Sequence, residues 1–490
     1  MSMKKLLNIK AFLVLALIFM MVGCTKDFED MNINPNEPNE APSTNILAYA
    51  LRYYADNFFN AWQNMNEPSS YAGHISKIQY IDEARYQYRE GVVNNAWRDV
   101  YNVMNDLQKV IDKSAEDEEN TPAMKAAALT FQMYILQVTT DKWKAVPWSQ
   151  ALQGQDGITN PGYDEQAAVY DAIIANLEAA SDIFASGADD DLGSGDILFG
   201  GDISKWEKFC NSLRLRVAIR ISKVDAAKAQ AIFNAVGSRP VMEDNSDNAY
   251  LWWPGAAPYK EPFQEDSETR DDHGMCNTLI DYLIEYNDPR LPVMAHPGYF
   301  DENENPVYLG IAAGALDGTF DMSKISRIGA IYRDDAAGFT PFMRVAEVMF
   351  NKAEAAALGW NVGMTAKDAY EMGVKMSMYE NGLGDAEYDA YIAQPAIAWD
   401  GSMEKLYMQK WICLFKDGME AWSETRRTDV PLMGPAEGSP YTGHNRPPFR
   451  YPYPTNEVNL NGTAITPFLT GIVDDFWGQR MWWDTRSGVQ

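Results

Sequence analysis

The sequence predicts a mostly α-helical fold in which tetratricopeptide-like helix pairs form a scaffold interrupted by long irregular loops. Three observations predict it. Apolar residues recur at three- and four-residue steps through most of the chain. Successive stripes are joined by short turns with capping signals, as paired helices are. No stretch alternates apolar and polar residues strongly enough for a large sheet. The spacing is irregular and long insertions separate the pairs, so this is not a consensus repeat. Residues 1–23 read as a signal peptide, 24–45 as a lipidated extended tether, and 46–490 as a single domain.

Lys4, Lys5 and Lys10 form a basic start, and Ala11 to Val22 is uncharged and almost wholly apolar. That run suits a signal h-region and is short for a transmembrane helix. Gly23 precedes Cys24, the pattern of a bacterial lipoprotein signal, although Met21 stands where leucine is usual. Cleavage before Cys24 leaves a thiol and an amino terminus to be acylated, and several acyl chains make a stable anchor where one does not. Lys26, Asp27, Glu29 and Asp30 follow, a charged cluster of the kind that directs some lipoproteins to the outer face of the outer membrane. Residues 31–45 are rich in Asn and Pro and are expected to lie extended.

Residues 94–113 place Trp97, Tyr101, Met104, Leu107 and Ile111 on one helical stripe. Thr121 caps the next helix, with Pro122 at its first position, and it runs through Phe131, Tyr134 and Val138. A third spans about 164–184 with Tyr170, Ile173, Leu177 and Phe184. Ser204 to Glu207 reads as a capping box opening a helix that carries Trp206, Phe209, Leu213, Val217 and Ile221. A break at 223–225 leads to an Ala-rich partner. Residues 342–358 predict a helix ending at Gly359, Thr365 caps another ending near Gly382, and 402–417 with 419–428 form a last pair. Residues 186–202, 245–272, 296–341 and 431–469 read as irregular, with room for a small hairpin within 296–333.

The formal net charge is −28, and loss of three lysines with residues 1–23 makes it about −31. So acidic a surface repels phosphate, which argues against nucleic acid as a partner. It suits neutral ligands or a partner with basic loops. With Cys24 lipidated, Cys210, Cys276 and Cys413 remain. An odd number in apolar surroundings reads as inert core residues with no disulfide framework.

No Gly-x-Ser-x-Gly, P-loop or dinucleotide fingerprint appears, and the four histidines are scattered. Asp271-Asp-His-Gly-Met-Cys276 fits no standard zinc spacing, and Asp189, Asp190, Asp191 and Asp196 lack the pattern of a calcium loop. Neither a catalytic site, a metal nor a cofactor is expected. The loops do hold aromatic and polar side chains together. A flat indole or phenol stacks on the C–H face of a sugar ring while polar groups take its hydroxyl rim. Loop position and chemistry make Tyr80, Tyr86, Trp252, Trp253, Tyr259 and Tyr332 the candidate ligand contacts.

Gln409-Lys410-Trp411 through Gly418, Glu420, Trp422, Glu424, Arg426 and Arg427 to Pro431 is similar to the late helix pair of the SusD/RagB family of outer-membrane nutrient-binding lipoproteins. Pro448 to Pro452 with Glu457 and Asn461, Gly201 to Arg216, Asp288 to Leu291, Ala346-Glu347, Ala353 to Ala355 and Trp482-Trp483-Asp484 resemble further family segments. So do Thr140-Asp141 and Val146 to Ser149. The resemblance covers essentially the whole mature chain. It implies a SusD-like fold of four tetratricopeptide-like helix pairs, ligand loops on the opposite side, and a partner: a SusC-like TonB-dependent transporter over which the lipoprotein sits as a hinged lid. The expected function is a non-catalytic surface receptor for oligosaccharide. The alternatives are a peptide-binding lid, a surface glycoside hydrolase, or a structural transporter subunit without a ligand.

Overall fold

Residues 41–113, 121–187, 192–470, 474 and 477–490 are described by the computed structural model. The signal segment, Cys24, almost all of the tether and Asp189 to Asp191 lie outside the described residues. Asp196 is a loop organiser: its carboxylate accepts from the amides of Leu198, Phe199 and Gly201 and from the Trp206 indole.

Ten helices of eleven residues or more carry the described chain. They are α1 (Ser43–Phe58), α2 (Glu90–Lys113), α3 (Pro122–Trp143), α4 (Gln166–Ala185), α5 (Ile203–Ile221), α6 (Ala226–Val236), α7 (Val345–Ala357), α8 (Ala366–Glu380), α9 (Met403–Cys413) and α10 (Gly418–Thr428). Neighbours in sequence pack on one another: α2 on α3, α5 on α6, α7 on α8 and α9 on α10, with α4 laid between α3 and α5. This is the expected scaffold of helix pairs. α1, which the sequence reading assigns in part to the tether, packs on α2 and α3 and starts at Ser43. None of the described helices is long and apolar enough to cross a membrane.

Caps follow the local chemistry. Thr121 and Thr365 accept from the amides of Met124 and Asp368. The expected box at Ser204 is displaced: Asp202 is the cap of α5, accepting from Lys205 N, and Ser204 lies inside the helix. Residues 339–343 are not helical. They form β6 (Phe339–Met343), antiparallel to β2 (Ala249–Trp252), and α7 begins only after the extended Arg344. Pro341 is tolerated because this ladder has only two strands, so an absent N–H breaks no central bond. β1 (Ile75–Lys77) pairs with β3 (His273–Met275), setting Lys77 opposite His273. The expected hairpin is β4 (Tyr299–Phe300) with β5 (Pro306–Val307).

One large apolar core runs through all ten helices, with Trp143, Trp206, Trp411, Trp422, Trp477 and Trp483 fully buried in it. Cys210, Cys276 and Cys413 are free thiols inside the protein, and burial pushes each of them up. Threaded through the core is a lattice of charge. Arg216 meets Glu347 in a two-point fork at 2.7 and 2.6 Å. Arg220 bonds Glu420 and lies 3.3 Å from Glu424 and 3.5 Å from Asp141. Arg427 forks onto Glu354 at 2.7 Å and meets Glu424 at 2.8 Å, where Lys410 adds a contact at 3.0 Å. Most of these side chains lie in segments that carry the family resemblance, and they are scaffold.

Breaking one member of a buried ion cluster strands the others. Glu424→Gln is expected to cost about 3–5 kcal/mol in urea unfolding. Burial holds the Asp417 carboxyl up to about 6, so the folded chain keeps a proton that the unfolded chain has lost. This contribution is fullest below the unfolded value, near pH 4, and is lost as pH rises through 6. Asp417→Asn keeps a cap for α10 and removes the titration. Relative to it, the wild type is expected to lose about 2–3 kcal/mol between pH ~4 and ~7, read from urea midpoints.

Candidate functional site

Just beyond α1 the chain makes one π-helical turn, Ala61–Met65, a local widening that recurs at functional sites. Its amides are fixed in turn. Asn60 Oδ1 accepts from the N–H groups of Trp62 and Gln63, both at 3.0 Å. Gln63 donates to the Val92 carbonyl and accepts from Lys142 Nζ. Asn64 donates to the Lys416 carbonyl at 2.8 Å and accepts from Gly418 N at 3.0 Å and Ser69 Oγ at 2.9 Å. The approach to α10 is so close that a Cβ at Gly418 would sit 2.4 Å from Asn64 Oδ1. With Gln63 and Asn64 held inward, the Trp62 ring faces out, 40% exposed.

Trp62 is one wall of an open cleft of about 830 Å³ that also takes in Asn66, Lys77, Tyr80, Arg89, Asp266, Arg270, Asp272 and His273. Tyr80 is 61% exposed, with the Arg270 guanidinium 5.7 Å from its ring centre. Arg89 and Lys77 lie 5.2 and 5.9 Å from the Trp62 ring centre. Buried Glu83 holds both cations, Lys77 at 3.3 Å and Arg89 at 2.5 Å. His273 is buried, which lowers its pKa to about 3 and keeps it neutral. Its Nε2 lies 2.7 Å from Asn66 Oδ1, an acceptor, so Nε2 carries the hydrogen and Nδ1 is left to accept. Nδ1 stands 3.6 Å from Asp266, whose pKa is raised by burial and by Asp272. Two aromatic surfaces with donors and acceptors between them suit a ring edged with hydroxyl groups.

Of the six aromatic residues expected at the ligand surface, Tyr80 alone lines this cleft. Trp252 is 60% exposed at the end of β2, beside Tyr250 and Phe339. Tyr259 is 41% exposed under the Arg52 guanidinium, 4.3 Å from its ring centre. Tyr86, Trp253 and Tyr332 are buried, contrary to the sequence reading. The Tyr86 hydroxyl accepts from Ala436 N, the Trp253 indole donates to Thr340 Oγ1, and the Tyr332 hydroxyl donates to Asn381 Oδ1. A ring in a loop brings the largest apolar area there, and once its polar tip finds a partner burial wins. The adjacent tryptophans part because successive side chains on an extended segment face opposite ways.

The sequence reading named none of Trp62, Asn66, Lys77, Arg89, Asp266, Arg270, Asp272 and His273 as a contact, although the aromatic and polar loops it drew on hold Lys77, Arg89, Asp266, Arg270 and Asp272. A signal was available for the first two: Asn60-Ala-Trp-Gln-Asn-Met-Asn66 sets an indole among amides directly after a helix. Asp271 to Cys276 diverge. Asp271 pairs with Arg327 and Arg333, Asp272 with Arg270, and Cys276 points into the core. Among the described residues no three His, Cys, Asp or Glu side chains gather as a metal would need.

Comparison with known proteins gives a consistent picture. The profile of a SusD-like family, described as starch-binding associating with outer membrane, matches residues 35–454. A SusD-like protein from Bacteroides thetaiotaomicron is 26% identical, with a TM-score of 0.79 over 92% of this chain and 100% of that one. A chitin-binding protein is 25% identical, with a TM-score of 0.79 over 91% and 100%. A chitin-binding SusD homologue from Flavobacterium johnsoniae shares the fold at 23% identity, with a TM-score of 0.77 over 91% and 98%. No protein of curated function matches.

The geometry separates surface from support. Trp62→Ala is expected to leave the urea midpoint within about 0.5 kcal/mol of wild type. Asn64→Ala strands the buried Gly418 N–H and Lys416 carbonyl and is expected to cost about 2–4 kcal/mol.

Proposed function

The chain belongs to the SusD-like family, starch-binding and associating with the outer membrane, and from that premise we propose that it is a non-catalytic lipoprotein that binds an oligosaccharide at the Trp62–Tyr80 cleft. It delivers the glycan to a SusC-like TonB-dependent transporter. The observation that carries this reading is the pairing of two exposed rings, Trp62 and Tyr80, across one cleft whose remaining wall is polar. The chitin-binding names of two structural relatives support a glycan as the ligand. Stacking plus hydroxyl bonding implies modest affinity, roughly micromolar to millimolar, because each polar group is first desolvated. Cys24 supplies the lipid anchor, and the charged residues after it place the domain on the cell exterior.

The test is calorimetric titration of the Cys24→Ser chain with malto-oligosaccharides, chito-oligosaccharides and a peptide digest, with products examined for cleavage. Saturable binding of an intact glycan is expected, weakened about tenfold or more by Trp62→Ala or Tyr80→Ala, a loss of about 1.4 kcal/mol. Trp252→Ala and Tyr259→Ala are expected to leave it unchanged. Loss in Trp252→Ala alone would move the site to the β2 end. Heat from peptides alone would make the protein a peptide lid. Cleavage products that vanish in Asp266→Asn would make it a hydrolase. In cells, Cys24→Ser is expected to move the protein from the membrane pellet to the supernatant.

A further inference from the structure

Trp62 divides two grooves. The same indole that lines the Tyr80 cleft also lines a second open groove of about 720 Å³. Its walls follow from helical spacing. Tyr53 and Asn57 stand one turn apart on α1, with Asn60 just beyond its end, and Asn95 and Arg98 stand on one face of α2. The amides are only half engaged. Asn57 spends its Nδ2 on the Tyr53 carbonyl, which leaves Oδ1 to accept. Asn60 spends its Oδ1 on the π turn, which leaves Nδ2 to donate. Asn95 is exposed. Arg98 is bound to Asp99 at 2.8 Å, so this groove carries one ion pair, whereas the first cleft holds Lys77, Arg89 and Arg270 together with Asp266 and Asp272.

Unspent amide donors and acceptors beside two aromatic rings, with no net charge, match the hydroxyls and C–H faces of neutral sugar units. Resting on the glycan reading of the first cleft, we propose that this groove is a second glycan-binding site that takes the continuation of the same chain. The ligand crosses the Trp62 indole and is selected for length. The π turn is pinned by Gln63 and Asn64, so the backbone that carries the indole is ordered before a ligand arrives.

The experiment compares trimers with hexamers of the malto- and chito-series on the Cys24→Ser chain by calorimetry. The hexamer of the series that binds is expected to bind about tenfold tighter than its trimer. An Asn57→Ala, Asn95→Ala double variant is expected to erase that advantage while leaving trimer affinity unchanged, and Trp62→Ala to weaken both lengths. Both asparagines lie at the surface, and an unaltered urea midpoint and trimer affinity certify the double variant's fold. Equal affinity for trimer and hexamer in the wild type overturns this inference alone and leaves the glycan function standing. So does a length advantage that survives the double variant. No saturable binding by either series overturns the glycan reading and this inference with it.

Discussion

Arg216, Arg220, Lys410 and Arg427 lie inside the helical scaffold against Asp141, Glu347, Glu354, Glu420 and Glu424, and each is cut off from water. Taking such groups out of solvent costs several kcal/mol apiece, recovered only while every partner stays in reach. The partners come from α3, α5, α7, α9 and α10, so no pair of these helices can slide without exposing an unmatched charge. Apolar packing alone would tolerate several helix registers. The Arg216–Glu347 and Arg427–Glu354 forks select one, because two parallel bonds fix orientation as well as distance.

The ligand surface hangs from this lattice. Asn64 ties the π turn to the Lys416 carbonyl and the Gly418 amide, at the join between α9 and α10. Lys416 itself pairs with buried Glu261 at 2.9 Å, which accepts from the first amides of the short helix Pro262–Ser267. That helix packs on the π turn and brings Asp266 into the cleft lining. A rearrangement of the last helix pair would therefore reach both Trp62 and Asp266. The cleft is rigid where it meets the scaffold, and its mouth is set by the exposed ends of Tyr80, Arg89 and Arg270.

Charge is distributed with the same logic. The chain is strongly acidic, yet three cations converge on the cleft, held there by Glu83, Asp272 and the aromatic faces. Guanidinium groups lying near aromatic faces are weakly hydrated and can turn toward a ligand oxygen at little cost. The second groove carries its polarity in amides. Two surfaces of different chemistry thus flank one indole.

By itself the sequence determined the helix pairs, several of their caps and breaks, the aromatic loops and the resemblance that names the family, because hydrophobic period, cap chemistry and motif spacing are local properties. Thr121, Thr365 and the 223–225 break were legible for that reason. Exposure was not. Trp252 and Trp253 are neighbours of identical chemistry, and only the β2–β6 pairing decides which one meets solvent. Tyr86 and Tyr332 have the composition of ligand contacts, but Ala436 and Asn381, distant in the chain, take their hydroxyls inward. Trp62 stands out because Gln63 and Asn64 are held by partners up to 354 residues away. With 69 acidic residues, which carboxylate meets which arginine is likewise a long-range choice. Local pattern decides what a segment becomes. Which side of it faces water is decided by whatever else folds over it, and that only the tertiary structure contains.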